Sequence, residues 1–104
     1  MLGWTIPRCF DGGVVAVLAS GPSMSQAVAD AVHEVGGLFV LDCIASGALW
    51  VNMEALGVDL LVTAPQKGWS GSPCCAMVML SARARAAIDG TTSTSFSCDL
   101  KKWL

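Results

Sequence analysis

Charge is scarce in this sequence. Asp, Glu, Lys and Arg make up only 13% of its 104 residues, whereas hydrophobic residues make up 54%. That balance excludes a disordered chain, which needs low hydrophobicity and high charge. Basic residues are not clustered beyond Arg83 with Arg85 and Lys101 with Lys102, and the net charge is -2. Nothing here supports a nucleic-acid partner. Long apolar runs are missing too. A membrane-spanning helix needs about 20 consecutive apolar residues, and Gly, Asp or Pro interrupts every run before that length. Histidine occurs once, as His33, too few to complete a zinc site with cysteine. The five cysteines, Cys9, Cys43, Cys74, Cys75 and Cys98, are odd in number and irregularly spaced, which is no disulfide framework. The adjacent Cys74 and Cys75 do not form a Cys-x-x-Cys clamp. Reduced, partly buried thiols of a cytoplasmic protein are the expectation. Residues 1–17 lack the order of basic head, apolar core and cleavage site of a signal peptide.

Apolar segments dominate what is present. A domain of this size buries a limited fraction of its surface. So many apolar residues therefore imply surfaces that a partner, or the rest of a larger protein, would cover. Residues 14–18 read as a buried strand that ends at the turn signal Ser20-Gly21-Pro22-Ser23. From residue 25 to 35 the period changes: Ala27, Val28, Ala31, Val32 and Val35 fall at helical spacing. Ser23 or Ser25 is the expected N-cap, and Gly36-Gly37 the stop. His33 sits in the last turn, as a partly exposed helical residue. Residues 38–42 are apolar without alternation, the mark of a strand covered on both faces in a parallel sheet. Asn52 is placed to cap a brief helix over 53–56, closed by Gly57. Strands follow at 58–64 and 76–80, with a Pro-, Gly- and Ser-rich loop between them. Ser81 should cap a helix over 82–88, and a further helix should begin near Asp99. The alternation of helix and strand predicts an α/β fold.

In open α/β sheets, ligands bind beyond the carboxyl ends of the parallel strands. Asp42 ends one predicted strand there, and Gln66-Lys67 follows the next. Lys67 stands among Pro, Gly and Trp rather than on a charged helix face. Burial in such surroundings would favour the neutral amine that imine formation requires. The blander alternative is a solvated loop lysine. Asp42 could equally cap its own turn, or hold a protonated ring nitrogen.

Two stretches carry a resemblance: Leu38-Phe39-Val40-Leu41-Asp42-Cys43-Ile44-Ala45-Ser46-Gly47, and Gly57-Val58-Asp59-Leu60-Leu61-Val62-Thr63-Ala64-Pro65-Gln66-Lys67-Gly68. In order and context they resemble the core of the class V (fold-type I) pyridoxal-phosphate-dependent aminotransferases, above all the serine-pyruvate and alanine-glyoxylate group. The likeness covers residues 26–104, read as a partial cofactor-binding large domain, with residues 1–25 a divergent lead-in holding one candidate strand. It implies a fragment of a three-layer α/β/α, mostly parallel sheet, in which the strand after the lysine loop runs antiparallel. It implies pyridoxal 5'-phosphate as cofactor, a small amino acid and a 2-oxo acid as substrates, and a homodimer. Lys67 would be the Schiff-base lysine and carry the substrate's α-proton. Asp42 would pair with the pyridinium nitrogen, Gln66 would contact the phosphate, and Thr63 is a further phosphate candidate. Ala45 and Ser46 would lie near the ring without a defined role.

The chain departs from that family in length. The small-residue loop that cups the phosphate in that family, and the C-terminal domain that brings a substrate-binding arginine, are expected to lie outside these 104 residues. Weak or absent activity of the chain alone is the expectation. A desulfurase or lyase of the same class would carry His before the lysine, where this chain has Gln66, and a mobile-loop cysteine, for which Cys98 is a poor candidate. The rival from another class is a non-enzymatic α/β remnant or interaction module.

Overall fold

The computed structural model describes residues 15–18, 22–46 and 49–104. The expectations for residues 1–14, including Cys9, for the turn at Ser20-Gly21 and for Gly47 fall outside them. The described elements are β1 (Val15–Leu18), α1 (Pro22–Glu34), β2 (Leu38–Asp42), β3 (Leu60–Thr63), β4 (Met77–Leu80), α2 (Ala82–Asp89) and α3 (Leu100–Trp103). The strands form one sheet in the order β1-β2-β3-β4. β1, β2 and β3 are parallel, and β4 runs antiparallel to β3. This is the expected α/β architecture, including the reversed strand after the lysine loop.

Alternate residues of β2 serve two cores, as a strand covered on both faces requires. Phe39 and Leu41 join Ala29 and Val32 of α1, with Cys43, Val58 and Leu61. Leu38 packs on the opposite face with Leu60 and with Ala84 of α2, flanked by Val40, Leu80 and Leu100. α1 and α2 thus occupy different layers, with the sheet between them. Phe39 is fully buried, a placement that contributes about 1.5–3 kcal/mol.

Helix ends follow local chemistry, with two corrections. α1 starts at Pro22, so Ser23 and Ser25 lie inside the helix rather than at its cap. Proline suits a first turn because its missing N–H would have no helical partner there. At the other end, Gly36 takes φ +74°. Its N–H donates to His33 O at 3.0 Å, and that of Gly37 to Val32 O at 2.9 Å, the two bonds of a Schellman stop. The expected helix over 53–56 is a single turn instead. Asn52 caps it as anticipated, accepting from Ala55 N at 3.1 Å. The same stop closes it at once: Gly57 N–H reaches Glu54 O and Val58 N–H reaches Met53 O at 2.8 Å. Cap and stop lie too close for a second turn. Gly57 has φ +65°, and a Cβ there would come within 2.9 Å of the Ala29 Cβ. We expect Gly57→Ala to destabilise the chain by about 2–4 kcal/mol, from left-handed strain plus overpacking. A lowered denaturant midpoint with an unchanged m-value is the measurement.

The layers meet at Asp59, which is only 3% exposed. Its Oδ2 lies 2.8 Å from His33 Nε2 of α1 and accepts the Phe39 N–H of β2, also at 2.8 Å. Oδ1 accepts the Ser81 hydroxyl at 3.3 Å. Along the backbone, Asp59 N–H donates to Phe39 O at 2.9 Å, and Asp59 O accepts Ser81 N–H at 2.8 Å. Ser81 Oγ also caps α2, accepting Ala84 N–H at 3.1 Å. Arg83 adds a clasp to Gly37 O at 2.8 Å. Breaking a buried pair strands its partners. Asp59→Ala leaves the Phe39 N–H and the Ser81 hydroxyl without their acceptor and should cost about 2–4 kcal/mol, and His33→Ala less, because Asp59 then keeps both of those donors. Urea denaturation of the two variants tests that ranking.

Candidate functional site

The first three strands run parallel, so their carboxyl ends share one edge of the sheet. β2 ends there in Asp42, which is in register with Val62 of β3. Thr63 ends β3, and Gln66 and Lys67 follow in the loop that leaves it. The structure thus brings Asp42, Thr63 and the Gln66-Lys67 pair to the same end of two neighbouring strands.

Asp42 is half-buried. Its Oδ1 accepts Ile44 N–H at 3.0 Å, a turn bond within its own loop, while Oδ2 has no hydrogen-bond partner recorded among the described residues. The turn is pinned to β3. Cys43 N–H donates to Val62 O at 2.8 Å. The Cys43 carbonyl accepts the Ser46 hydroxyl at 2.7 Å and, more weakly, the Thr63 hydroxyl at 3.4 Å. Thr63 is therefore buried and committed to bracing the turn after Asp42. Contact with an outside phosphate through the same proton would need that bond to open.

Lys67 stands in a tight loop. Gly71 N–H closes it onto Pro65 O at 2.8 Å, and Ser70 N–H donates to Lys67 O at 3.3 Å. A Cβ at Gly71 would lie 3.1 Å from the Pro65 Cβ, so the two sides of the loop nearly touch. Ser70 has φ +52°, the one positive value at a non-glycine among the described residues. Such backbone costs on the order of 1 kcal/mol or more and gathers at functional loops. Gln66 and Lys67 are both exposed. Of the two readings of Lys67, a buried amine and a solvated loop lysine, its exposure matches the second. No ion pair engages Lys67 among the described residues.

Cys43 is buried beside Asp42. Burial pushes its thiol up from the usual range, the Asp42 charge adds to the shift, and the Ser46 hydroxyl works against it. Sequence reasoning singled out neither Cys43 nor the Cys43–Ser46 bracket, although a serine three residues after a strand end is a turn signal. Asp59 entered there as the end of the family-like Gly57-Val58-Asp59 exit from the short helix, with no role assigned.

No protein-family model matches the chain, and no curated protein does. Solved structures do match. An alanine–glyoxylate aminotransferase from Nostoc sp. superimposes with a TM-score of 0.68 at 24% identity, over 86% of this chain and 26% of that one. An aspartate aminotransferase of subgroup IV from Thermus thermophilus gives 0.66 at 27% identity, over 86% and 27%. A chain from the complex of SepCysS with the SepCysE N-terminal domain gives 0.62 at 20% identity, over 76% and 23%. The chain has the α/β fold that these proteins share. The family likeness carried by its sequence is thus matched in three dimensions by aminotransferases, over about a quarter of their length.

The raised Cys43 thiol has a readable consequence. Thiolate is the reactive form, so a raised value leaves less of it at any given pH. Alkylation of Cys43 in the folded chain should begin at higher pH than in the unfolded chain and lag behind Cys74 and Cys98, which are exposed. Peptide mapping after timed iodoacetamide labelling checks this.

Proposed function

We propose that this chain forms part of a pyridoxal-phosphate-dependent aminotransferase site, for amino-group transfer between a small amino acid and a 2-oxo acid. One observation carries the reading: an amine loop and a strand-end carboxylate lie at the carboxyl ends of neighbouring parallel strands, on a fold shared with aminotransferases. The donor set fits the group. Lys67 is solvent-accessible and outside any ion pair among the described residues, and Asp42 keeps one oxygen, Oδ2, without a recorded partner there. When bound, the cofactor supplies an aldehyde for amines and a ring that draws electron density from the substrate.

The residues' own tasks follow. Lys67 would hold the cofactor's aldehyde through its Nζ and, as a free amine, would move the substrate's α-proton as a general base. Asp42 would hold the cofactor's ring nitrogen through Oδ2 and favour its protonated form. The Cys43, Ser46 and Thr63 hydrogen bonds hold the Asp42 turn still. Gln66 is the phosphate contact in this reading, and Thr63 a further one. Gln66, rather than His, before the lysine favours transamination over desulfuration or lyase chemistry. The complete site draws on more protein than this chain, as a homodimer with further phosphate and substrate contacts, so the chain alone turns over weakly or not at all.

A second reading, a non-enzymatic α/β interaction module, draws on the uncovered apolar surface: Trp50 is 93% exposed and Leu49 69%. Borohydride reduction with added pyridoxal phosphate separates the two. The site reading expects one pyridoxyl group per chain, mapped to Lys67, and none on Lys67→Ala. Labelling spread over Lys101 and Lys102 as strongly as over Lys67 would favour the module. In an assembly with measurable turnover, Lys67→Ala should lower kcat by about 10²–10⁴-fold or more. Asp42→Ala should keep the covalent attachment while lowering turnover.

A further inference from the structure

Between the lysine loop and β4 the chain places two adjacent thiols, Cys74 and Cys75, both free and both exposed. The Cys74 thiol donates to Cys75 Sγ at 3.7 Å, and the Cys74 N–H is tied back to Ser72 O at 2.8 Å. The two sulfurs therefore face one another in the folded chain. The aminotransferase reading assigns them no task.

Geometry narrows what such a pair can hold. A disulfide needs its sulfurs at about 2.0 Å and its Cα atoms at about 4.4–6.8 Å, whereas neighbouring Cα atoms are about 3.8 Å apart. Oxidation to a local disulfide is thus strained. A linear two-coordinate ion with bonds near 2.3 Å would want the sulfurs about 4.6 Å apart, wider than they stand. Two such bonds meeting at a bent centre span the observed 3.7 Å when the angle between them is about 107°. A tetrahedral metal would have that angle but needs two more ligands. No group of three or more His, Cys, Asp or Glu that could hold a metal exists among the described residues. A bent centre that two protein sulfurs satisfy, and that brings its remaining ligand itself, fits both conditions.

We propose that Cys74 and Cys75 form a chelating dithiol site for trivalent arsenic carrying one ligand of its own, organic or hydroxide. With an organic arsenic(III) oxide, two S–H bonds and the arsenic–oxygen double bond break. Two arsenic–sulfur bonds form, and the oxygen leaves as water with both thiol protons. Arsenic stays trivalent, so no oxidant or reductant takes part. The Cys75 thiol is pushed up, first by its hydrogen bond with Cys74 and less by burial and by the charge of Cys74. Uptake should accordingly speed up as the pH rises through the thiol range.

The test uses the full chain with phenylarsine oxide in the presence of excess monothiol. Intact-mass spectrometry should show one phenylarsenic group per chain, with two thiol protons lost, removable by a dithiol competitor. Cys74→Ser and Cys75→Ser, each left with one thiol of the pair, should bind roughly 10²–10⁴-fold more weakly, the loss expected when a second attachment is removed. Cys98→Ser should bind like the parent chain. Far-UV circular dichroism of each variant separates loss of the site from loss of the fold, and a misfolded serine variant is replaced by the alanine one. Undiminished, dithiol-reversible binding by the folded Cys74 and Cys75 variants, or a requirement for Cys98, would overturn the assignment.

Discussion

One buried carboxylate ties the layers of this chain together. Asp59 uses both carboxylate oxygens, its N–H and its C=O, and its partners sit on α1, on β2 and at the cap of α2. A carboxyl group so deep is tolerable only when hydrogen bonds replace the water it gave up. That requirement works as a geometric constraint. The carboxylate is satisfied only when α1 lies on one face of the sheet, α2 starts from the other, and Phe39 is in register beside it. The two apolar cores then close around an arrangement the polar bonds have already specified.

The proposed site depends on that arrangement at one remove. Once β2 and β3 are aligned near Phe39 and Asp59, their far ends are aligned too, at Asp42 and Thr63. The bonds to the Cys43 carbonyl extend the alignment into the turn, so the Asp42 carboxylate does not swing with a loose loop. The lysine loop is closed separately, by Pro65 and Gly71 across its neck. Structural constraint is densest at the amino end of β3, and the groups available to a ligand stand at its carboxyl end. That division is expected where a rigid scaffold presents mobile chemistry.

Apolar surface is the other thread. Trp50, Leu49, Phe96 and Trp103 remain largely exposed, although Phe96 and Trp103 meet edge to face at 6.1 Å and Lys102 lies over the Phe96 ring at 5.0 Å. β4 pairs on one side only among the described residues, and its Val78 and Met79 are exposed. The surplus of hydrophobic residues thus maps to surface that this chain does not bury by itself.

Local chemistry by itself determined much. Short-range signals were enough for the strand positions, the Gly36 stop, the Asn52 and Ser81 caps and the placement of Asp42 and Lys67 after strands, because caps, turns and periodicity act over a few residues. Two local readings failed for local reasons: Pro22 opens α1 earlier than the serines suggested, and Gly57 stops its helix after one turn. Tertiary structure alone decided the rest. Asp59 and His33 are 26 residues apart, and Ser81 lies 22 beyond Asp59, so no window of sequence shows that one carboxylate joins them. Sequence left the burial or exposure of Lys67 open, and the turning of Thr63 inward to Cys43 was out of its reach. Burial and hydrogen-bond choice depend on which segments the folded chain lays side by side.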